Sequence, residues 1–351
     1  MNLDNLALFN SLDPNRHLTH IDHLPDQIEA AWTHAQTLPL PDIENTTHIL
    51  FCGMGDSAMG GSLVASLIAG ECKIPFTVLR DYDLPAWADS KTLVIAASHS
   101  GNAEETVSCF KQAIERKTKL MAITTGGETA EMCHKANGTL WRFDHDATPR
   151  AAIGYAVTLP LALLSRARLI ADKSADVASA VNAMREQQKK LNAESPVMKN
   201  PAKRMAGQFM DRFPLIFGSG IMAAVARRWK AQVSQNAKAW AQFEVIPEMD
   251  HNSLAGISNP QSLISKCIAL FLESDFDHPR NKLRSETTRV LMMTAGFNTD
   301  TIRGVGGTPL AHALTALHYG DYVSYYLAMA YGTGITPSES ISELNQTLAN
   351  S

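Results

Sequence analysis

Long apolar runs, paired cysteines and blocks of like charge are all missing from this sequence. Charges or glycines break every apolar stretch well short of the roughly 20 residues a membrane helix needs, so a helical membrane protein is excluded. There is no Lys/Arg block and no basic tail, and the formal net charge is -4, so nucleic acid is not an expected partner. No basic segment followed by an apolar core opens the chain, so no secretory signal is expected. The five cysteines, Cys52, Cys72, Cys109, Cys133 and Cys267, form no CxxC pair, and most sit in apolar segments. This pattern predicts reduced, buried thiols in a cytoplasmic protein. His17, His20 and His23 recur every third residue. No carboxylate or cysteine cluster joins them at zinc-type spacing, so no metal site is expected. The "DHD" at 144–146 reads as a solvated loop.

What remains is an ordinary globular composition, 45% hydrophobic and 19% charged, over 351 residues. That length suggests two domains. An amphipathic helix is expected around 25–38, with Ile28, Ala31 and Trp32 on one side. Short apolar runs then alternate with helical stretches. "HILFC" (48–52), "FTVLR" (76–80), "TLVIAAS" (92–98), "KLMAITT" (119–125) and "GTLWRF" (138–143) read as strands, with helices at 58–69 and 104–116 between them. Continuous Val/Ile/Leu strands alternating with helices predict a parallel sheet covered on both faces. A polar stretch at 182–204 reads as a helix and linker, and the pattern then restarts at "PLIFGSGIMAAVARRWKAQVSQNAK" (214–238). Later strands are expected at 263–274 and 288–296. A long helical segment follows from 309, and a short terminal helix follows Pro337. Two units that each open with strand, Gly-x-Gly and helix form a weak internal repeat.

The first of these turns, "CGMGDSAMGG" (52–61), offers a helix N-terminus, where backbone N–H groups favour an anion. Gly53-x-Gly55-x-x-Ala58 also fits a dinucleotide fingerprint, with Asp81 after the second strand as the ribose ligand. No Gly-Lys-Ser/Thr follows, so a P-loop is excluded. The third strand favours a phosphosugar over a dinucleotide. It runs into "SHSGNAEET" (98–106), where Ser98, Ser100 and Asn102 bring hydroxyls and an amide to a second helix N-terminus. Such groups wrap a single phosphate monoester. Ser100 or Asn102 would also serve as the N-cap.

This pair of turns resembles the sugar isomerase (SIS) domain. Together with "PRAAIGYA" (149–156), "RWKAQVSQNAK" (228–238), "PEMDHNSLAGI" (247–257) and "YGDYVSYYLA" (319–328), in that order, it is similar to the bifunctional phosphoglucose/phosphomannose isomerases over nearly the whole chain. The resemblance implies an α/β fold of two SIS domains, each a three-layer αβα sandwich around a parallel sheet. The expected division is a helical segment at 1–40, SIS domains at 41–181 and 205–318 joined by 182–204, and C-terminal helices at 319–351. It implies a homodimer with its active site at the interface, a sugar-phosphate substrate, and no cofactor or metal. The implied reaction interconverts glucose 6-phosphate or mannose 6-phosphate with fructose 6-phosphate through a cis-enediol. Such chemistry needs an acid/base at the ring oxygen, a base at carbon and a cation beside the enediolate. By resemblance Ser57, Ser98 and Ser100 hold the phosphate, and Gly53 and Gly55 let the backbone approach the sugar. Arg150 stabilises the enediolate, and His251, from the partner subunit, opens the ring.

Four positions depart from the family pattern. Asp56 stands at a usual glycine, Ala103 at a threonine, Gln235 at the catalytic glutamate and Asn345 at a lysine. An amide cannot take a proton from carbon. Either another carboxylate, with Asp56 ahead of Asp250 and Glu248, supplies the base, or isomerisation is weak or lost. The alternative function is a non-catalytic sugar-phosphate sensor.

Overall fold

The computed structural model describes residues 2–336 and 338–350. Helices α1 (Leu6–Leu12), α2 (His17–Asp22) and α3 (Leu24–Ala35) precede strand β1 (His48–Gly53) and helix α4 (Gly55–Ile68). Strands β2 (Phe76–Leu79) and β3 (Thr92–Ala97) follow, then α5 (Glu104–Glu115), β4 (Lys119–Thr124), α6 (Gly127–Lys135) and β5 (Thr139–Arg142). A short 3-10 turn, Pro149–Ala152, opens α7 (Ile153–Arg166), and α8 (Ser174–Leu191) comes next. The second half runs α9 (Pro201–Phe209), β6 (Phe213–Ser219), α10 (Ile221–Ala237), β7 (Gln242–Ile246), α11 (Gln261–Ile264), β8 (Cys267–Glu273), α12 (Pro279–Thr294) and β9 (Asn298–Arg303). It closes with α13 (Pro309–Tyr331) and α14 (Glu339–Ala349). Pro337, expected ahead of the last helix, lies outside the described residues.

The chain divides into two compact units, one of residues 24–181 and one of residues 1–23 with 182–351. The cut falls after His23, so α3 belongs with the first unit and α1 and α2 with the second. Each unit holds one wholly parallel sheet flanked by helices. The first sheet is ordered β2-β1-β3-β4-β5 and the second β7-β6-β8-β9. Each sheet begins in the same way, with its first strand flanked by its second and third. The internal repeat is therefore one topology used twice. The central strands are dry: every residue of β3 is buried. Leu50, Val94, Ala96, Phe110 and Ala122 share one core. Phe217, Ala269, Phe271 and Met292 share the other. All five cysteines are free, with Cys72 half-buried and the others buried.

The stretch 288–296, expected as a strand, is helical and lies mostly in α12. Short apolar runs fit either structure, and the start signals upstream decide. The His278 side chain accepts from the Arg280 N–H, and Pro279 occupies the first helical turn. The true fourth strand is β9, "NTDTIR". It is an edge strand with little apolar patterning, and the equally unexpected β7, "QFEVI", is the opposite edge. The run 263–274 splits into α11 and β8.

Candidate functional site

In an open parallel sheet, ligands bind beyond the carboxyl ends of the strands where strand order reverses. In the first unit that point lies between β1 and β3, where Gly53 pairs with Ala97. A Cβ on Gly53 would sit 2.7 Å from the Ala97 carbonyl oxygen, so glycine is required for the two strand ends to meet. The chain then turns through Gly55 (φ +50°) into α4. Asp56 is buried in the first turn of that helix, where the positive dipole end favours a carboxylate. Ser57 is half-buried. Together with His99, Phe143, Pro149 and Ala152 it lines a cavity of about 20 Å³, room for about one water.

The turn after β3 is held from within. Buried Ser98 accepts through Oγ from the N–H groups of Gly101 (3.2 Å) and Ala103 (3.4 Å). Exposed Ser100 accepts through Oγ from the Asn102 N–H at 3.2 Å. A hydroxyl carries one proton. With both oxygens already accepting, each serine keeps its O–H as a donor for an anion. Asn102 has a second role, because its Oδ1 accepts from the Glu128 N–H at 2.9 Å. The Gly101 carbonyl accepts from the Thr129 N–H and hydroxyl. This lashing leaves no space at Gly101. Its φ is +73°, and a Cβ there would overlap the Gly126 carbonyl oxygen. Gly101→Ala is expected to open the turn and weaken inorganic phosphate binding tenfold or more, a loss of about 1.4 kcal/mol or greater. Calorimetric titration with phosphate checks this, and an unchanged affinity would contradict the assignment.

Arg150 is buried in the same unit, on the Pro149–Ala152 turn. The turn is clamped by Gln27 of α3, a residue with no motif to mark it. Its Nε2 donates to the Ala151 carbonyl at 2.9 Å, and its Oε1 accepts from the Gly154 N–H at 2.7 Å. The "DHD" loop needs correction. Asp144 and Asp146 are exposed, but His145 is half-buried, and its Nδ1 lies 3.0 Å from His99 Nε2. Burial pushes the His99 imidazole below its ordinary value, an effect that His145 partly offsets. The sign that could have marked this pair was His99 itself, an imidazole placed between Ser98 and Ser100.

The remaining expected residues lie in the other unit. Gln235 is half-buried in the last turn of α10. Two of the sequence motifs fix that helix by joining along α10 and α13. Arg228 and Asp321 form a buried ion pair at 2.9 Å. Trp229 stacks on Tyr319 and donates to the Ala316 carbonyl at 2.9 Å. Asn236 donates to Ser324 at 2.9 Å. His251 is exposed on a 3-10 turn, Glu248–His251. Asp250 accepts from Arg284 (3.1 Å) and Thr288 (2.9 Å) of α12, which makes it a structural pin of that turn. Glu248 accepts from Asn252. Asn345 is exposed on α14. Among the described residues, no group of three or more His, Cys, Asp or Glu is placed to hold a metal ion. No helix among them is long and apolar enough to cross a membrane.

Residues 198–348 match the bacterial phospho-glucose isomerase C-terminal SIS domain. The bifunctional phosphoglucose/phosphomannose isomerase of Caldicellulosiruptor bescii is 35% identical over 93% of this chain and 97% of its own length. The chain belongs to the bifunctional phosphoglucose/phosphomannose isomerase family. The Aquifex aeolicus member is 33% identical over 86% of this chain and 90% of its own. A solved structure titled as a glucose-6-phosphate isomerase like protein, from Thermus thermophilus, superposes with a TM-score of 0.65 at 16% identity, covering 99% of both chains. At that identity the likeness shows the fold alone, two parallel sheets flanked by helices.

Proposed function

We propose that this chain is a sugar-phosphate aldose–ketose isomerase that interconverts glucose 6-phosphate or mannose 6-phosphate with fructose 6-phosphate. The observation that carries this reading is the β1/β3 switch point, where Ser98 and Ser100 keep their O–H donors at a helix N-terminus. Full-length similarity to the phosphoglucose/phosphomannose isomerases supports it. In this reading Ser57, Ser98 and Ser100 take the phosphate, with Asn102 shaping their turn. Gly53 and Gly55 admit the sugar. His251 opens the ring, and Arg150, whose guanidinium stays charged, stabilises the enediolate. Gln235 stands where the base is expected. Asp56 moves the proton between C2 and C1. A carboxylate beside the phosphate would repel it, so Asp56 serves the sugar end of the pocket. Asn345 leaves the lysine position uncharged.

The working form is a homodimer in the cytoplasm. Ile341 and Leu344 on α14 are more than half exposed, an apolar stripe suited to a second copy. The rival reading is a sensor that binds sugar phosphate without turning it over. Gln235 and Ala103, at the positions of a base and a phosphate hydroxyl, favour it. Turnover of fructose 6-phosphate by the wild type and by Asp56→Asn separates the two. The isomerase reading expects measurable wild-type turnover that falls about a hundredfold in Asp56→Asn, the lower end of what a general base contributes. Intact binding with no wild-type turnover would establish the sensor instead.

A further inference from the structure

We propose that His145 is a positioning residue that couples the anion-binding turn at 98–103 to the placement of Arg150. The inference rests on the isomerase reading of the site and adds a residue that reading does not contain.

The path begins at His99. Its backbone is fixed, because its carbonyl accepts from the Thr125 N–H (3.0 Å) and the Thr125 hydroxyl (2.8 Å). Its neighbours on either side are Ser98 and Ser100. An anion held by Ser98 and Ser100 therefore restrains the main chain on both sides of His99, and with it the point from which the His99 ring projects. That ring reaches across to His145, with Nε2 and Nδ1 3.0 Å apart and the rings perpendicular at 5.2 Å. His145 lies in the connection from β5 to the Pro149–Ala152 turn that carries Arg150. The connection is held at its start, where Phe143 stacks on Tyr155 of α7 at 4.6 Å and donates through its N–H to Thr124. It is held at its end by Gln27. Between these anchors, the His145 ring meets Tyr155 at 5.9 Å and hydrogen-bonds His99. Its side chain thus spans from the phosphate end of the site to the segment that sets Arg150.

An imidazole pair is suited to this task. One ring nitrogen donates and the other accepts, so the bond fixes both ring orientations. An apolar side chain of similar bulk would fill the space and lose the tie. The consequence is a division of effects. Phosphate affinity belongs to the serines and backbone of the turn and should survive loss of His145. Arg150 acts on the enediolate, so its misplacement should appear in kcat.

His145→Leu and His145→Asn test this, since the asparagine amide returns a polar atom near the position of Nδ1. In His145→Leu, kcat on fructose 6-phosphate should fall about tenfold to a hundredfold, as small misplacements do. The KM and the phosphate dissociation constant should stay within about twofold. His145→Asn should recover most of the loss. A second readout does not depend on turnover: hydrogen–deuterium exchange at 144–152 with and without inorganic phosphate. Phosphate should slow exchange there in the wild type and in His145→Asn, but not in His145→Leu. If His145→Leu melts early, the His99→Gln and His99→Leu pair is read for the same loss and rescue of kcat, because the bond leaves His99 through Nε2 and a glutamine amide reaches that position. Unchanged kcat in the leucine variant, equal loss in both variants, or parallel loss of phosphate affinity would overturn the proposal. If phosphate binds the wild type without slowing 144–152, the coupling fails while the anion site stands. If phosphate does not bind at all, both fail.

Discussion

Gln235→Glu is expected to raise kcat on fructose 6-phosphate about a thousandfold, within the range that a positioned general base contributes. The two side chains have nearly the same shape, but only the carboxylate can take a proton from carbon. The scaffold around the position is ready for the exchange. Gln235 is half-buried, so a charge there keeps contact with water. The flanking turn is anchored by Asn236 on Ser324, and the helix behind it by Arg228 on Asp321. The new carboxylate should therefore arrive at the position proposed for the base, and KM should stay within about twofold because the added interaction is made in the transition state. The double variant Asp56→Asn/Gln235→Glu separates two accounts of the proton. If the new glutamate acts alone, the double variant keeps the gain. Turnover in Gln235→Glu no higher than in the wild type would contradict the assignment of position 235.

Asp321→Ala should cost about 3–5 kcal/mol, the penalty for stranding the charge of a buried pair. Arg228 is 1% exposed and its guanidinium meets the Asp321 carboxylate through two bonds, from Nε at 3.1 Å and Nη2 at 2.9 Å. Removing the acid takes away the carboxylate that balances a guanidinium buried in the seam between α10 and α13. Replacing both partners with apolar side chains, as in Arg228→Met/Asp321→Leu, should recover most of the loss, because a buried ion pair scarcely outweighs its own desolvation. Urea unfolding of the single and double variants checks this through the midpoint. A loss under about 1 kcal/mol in Asp321→Ala would place the pair among weak surface bridges. The result bears on function, since this seam holds the end of α10 that carries Gln235.

The fold of the first sheet was legible in the sequence, its half-buried edge strands β2 and β5 included. β1, β3 and β4 read as continuous apolar runs, and each matches the structure within about a residue or two, the ordinary scatter of strand ends. Legibility failed at the second sheet's edges. β9 reads "NTDTIR", whereas the apolar run at 290–293 belongs to α12, and period alone cannot separate a short apolar strand from a helix segment. The site divides in the same way. The turns at 53–57 and 98–102 are local, and their glycines and hydroxyls announce themselves. Gln27 and His145 act on groups far along the chain, so no spacing rule reveals them. The "RWKAQVSQNAK" and "YGDYVSYYLA" segments were visible as motifs. That they form one seam, with Gly320 bare because a Cβ would overlap the Trp229 ring, is a fact of packing.

Proton transfer itself is the most direct test. Fructose 6-phosphate is incubated with the wild-type protein in heavy water, and the sugars are followed by NMR. An enediol route through Asp56 predicts glucose or mannose 6-phosphate carrying deuterium at C2, with exchange slowed about a hundredfold in Asp56→Asn. Fructose 6-phosphate that binds, yet is recovered with its C1 protons intact and no aldose formed, would contradict an isomerase at this site.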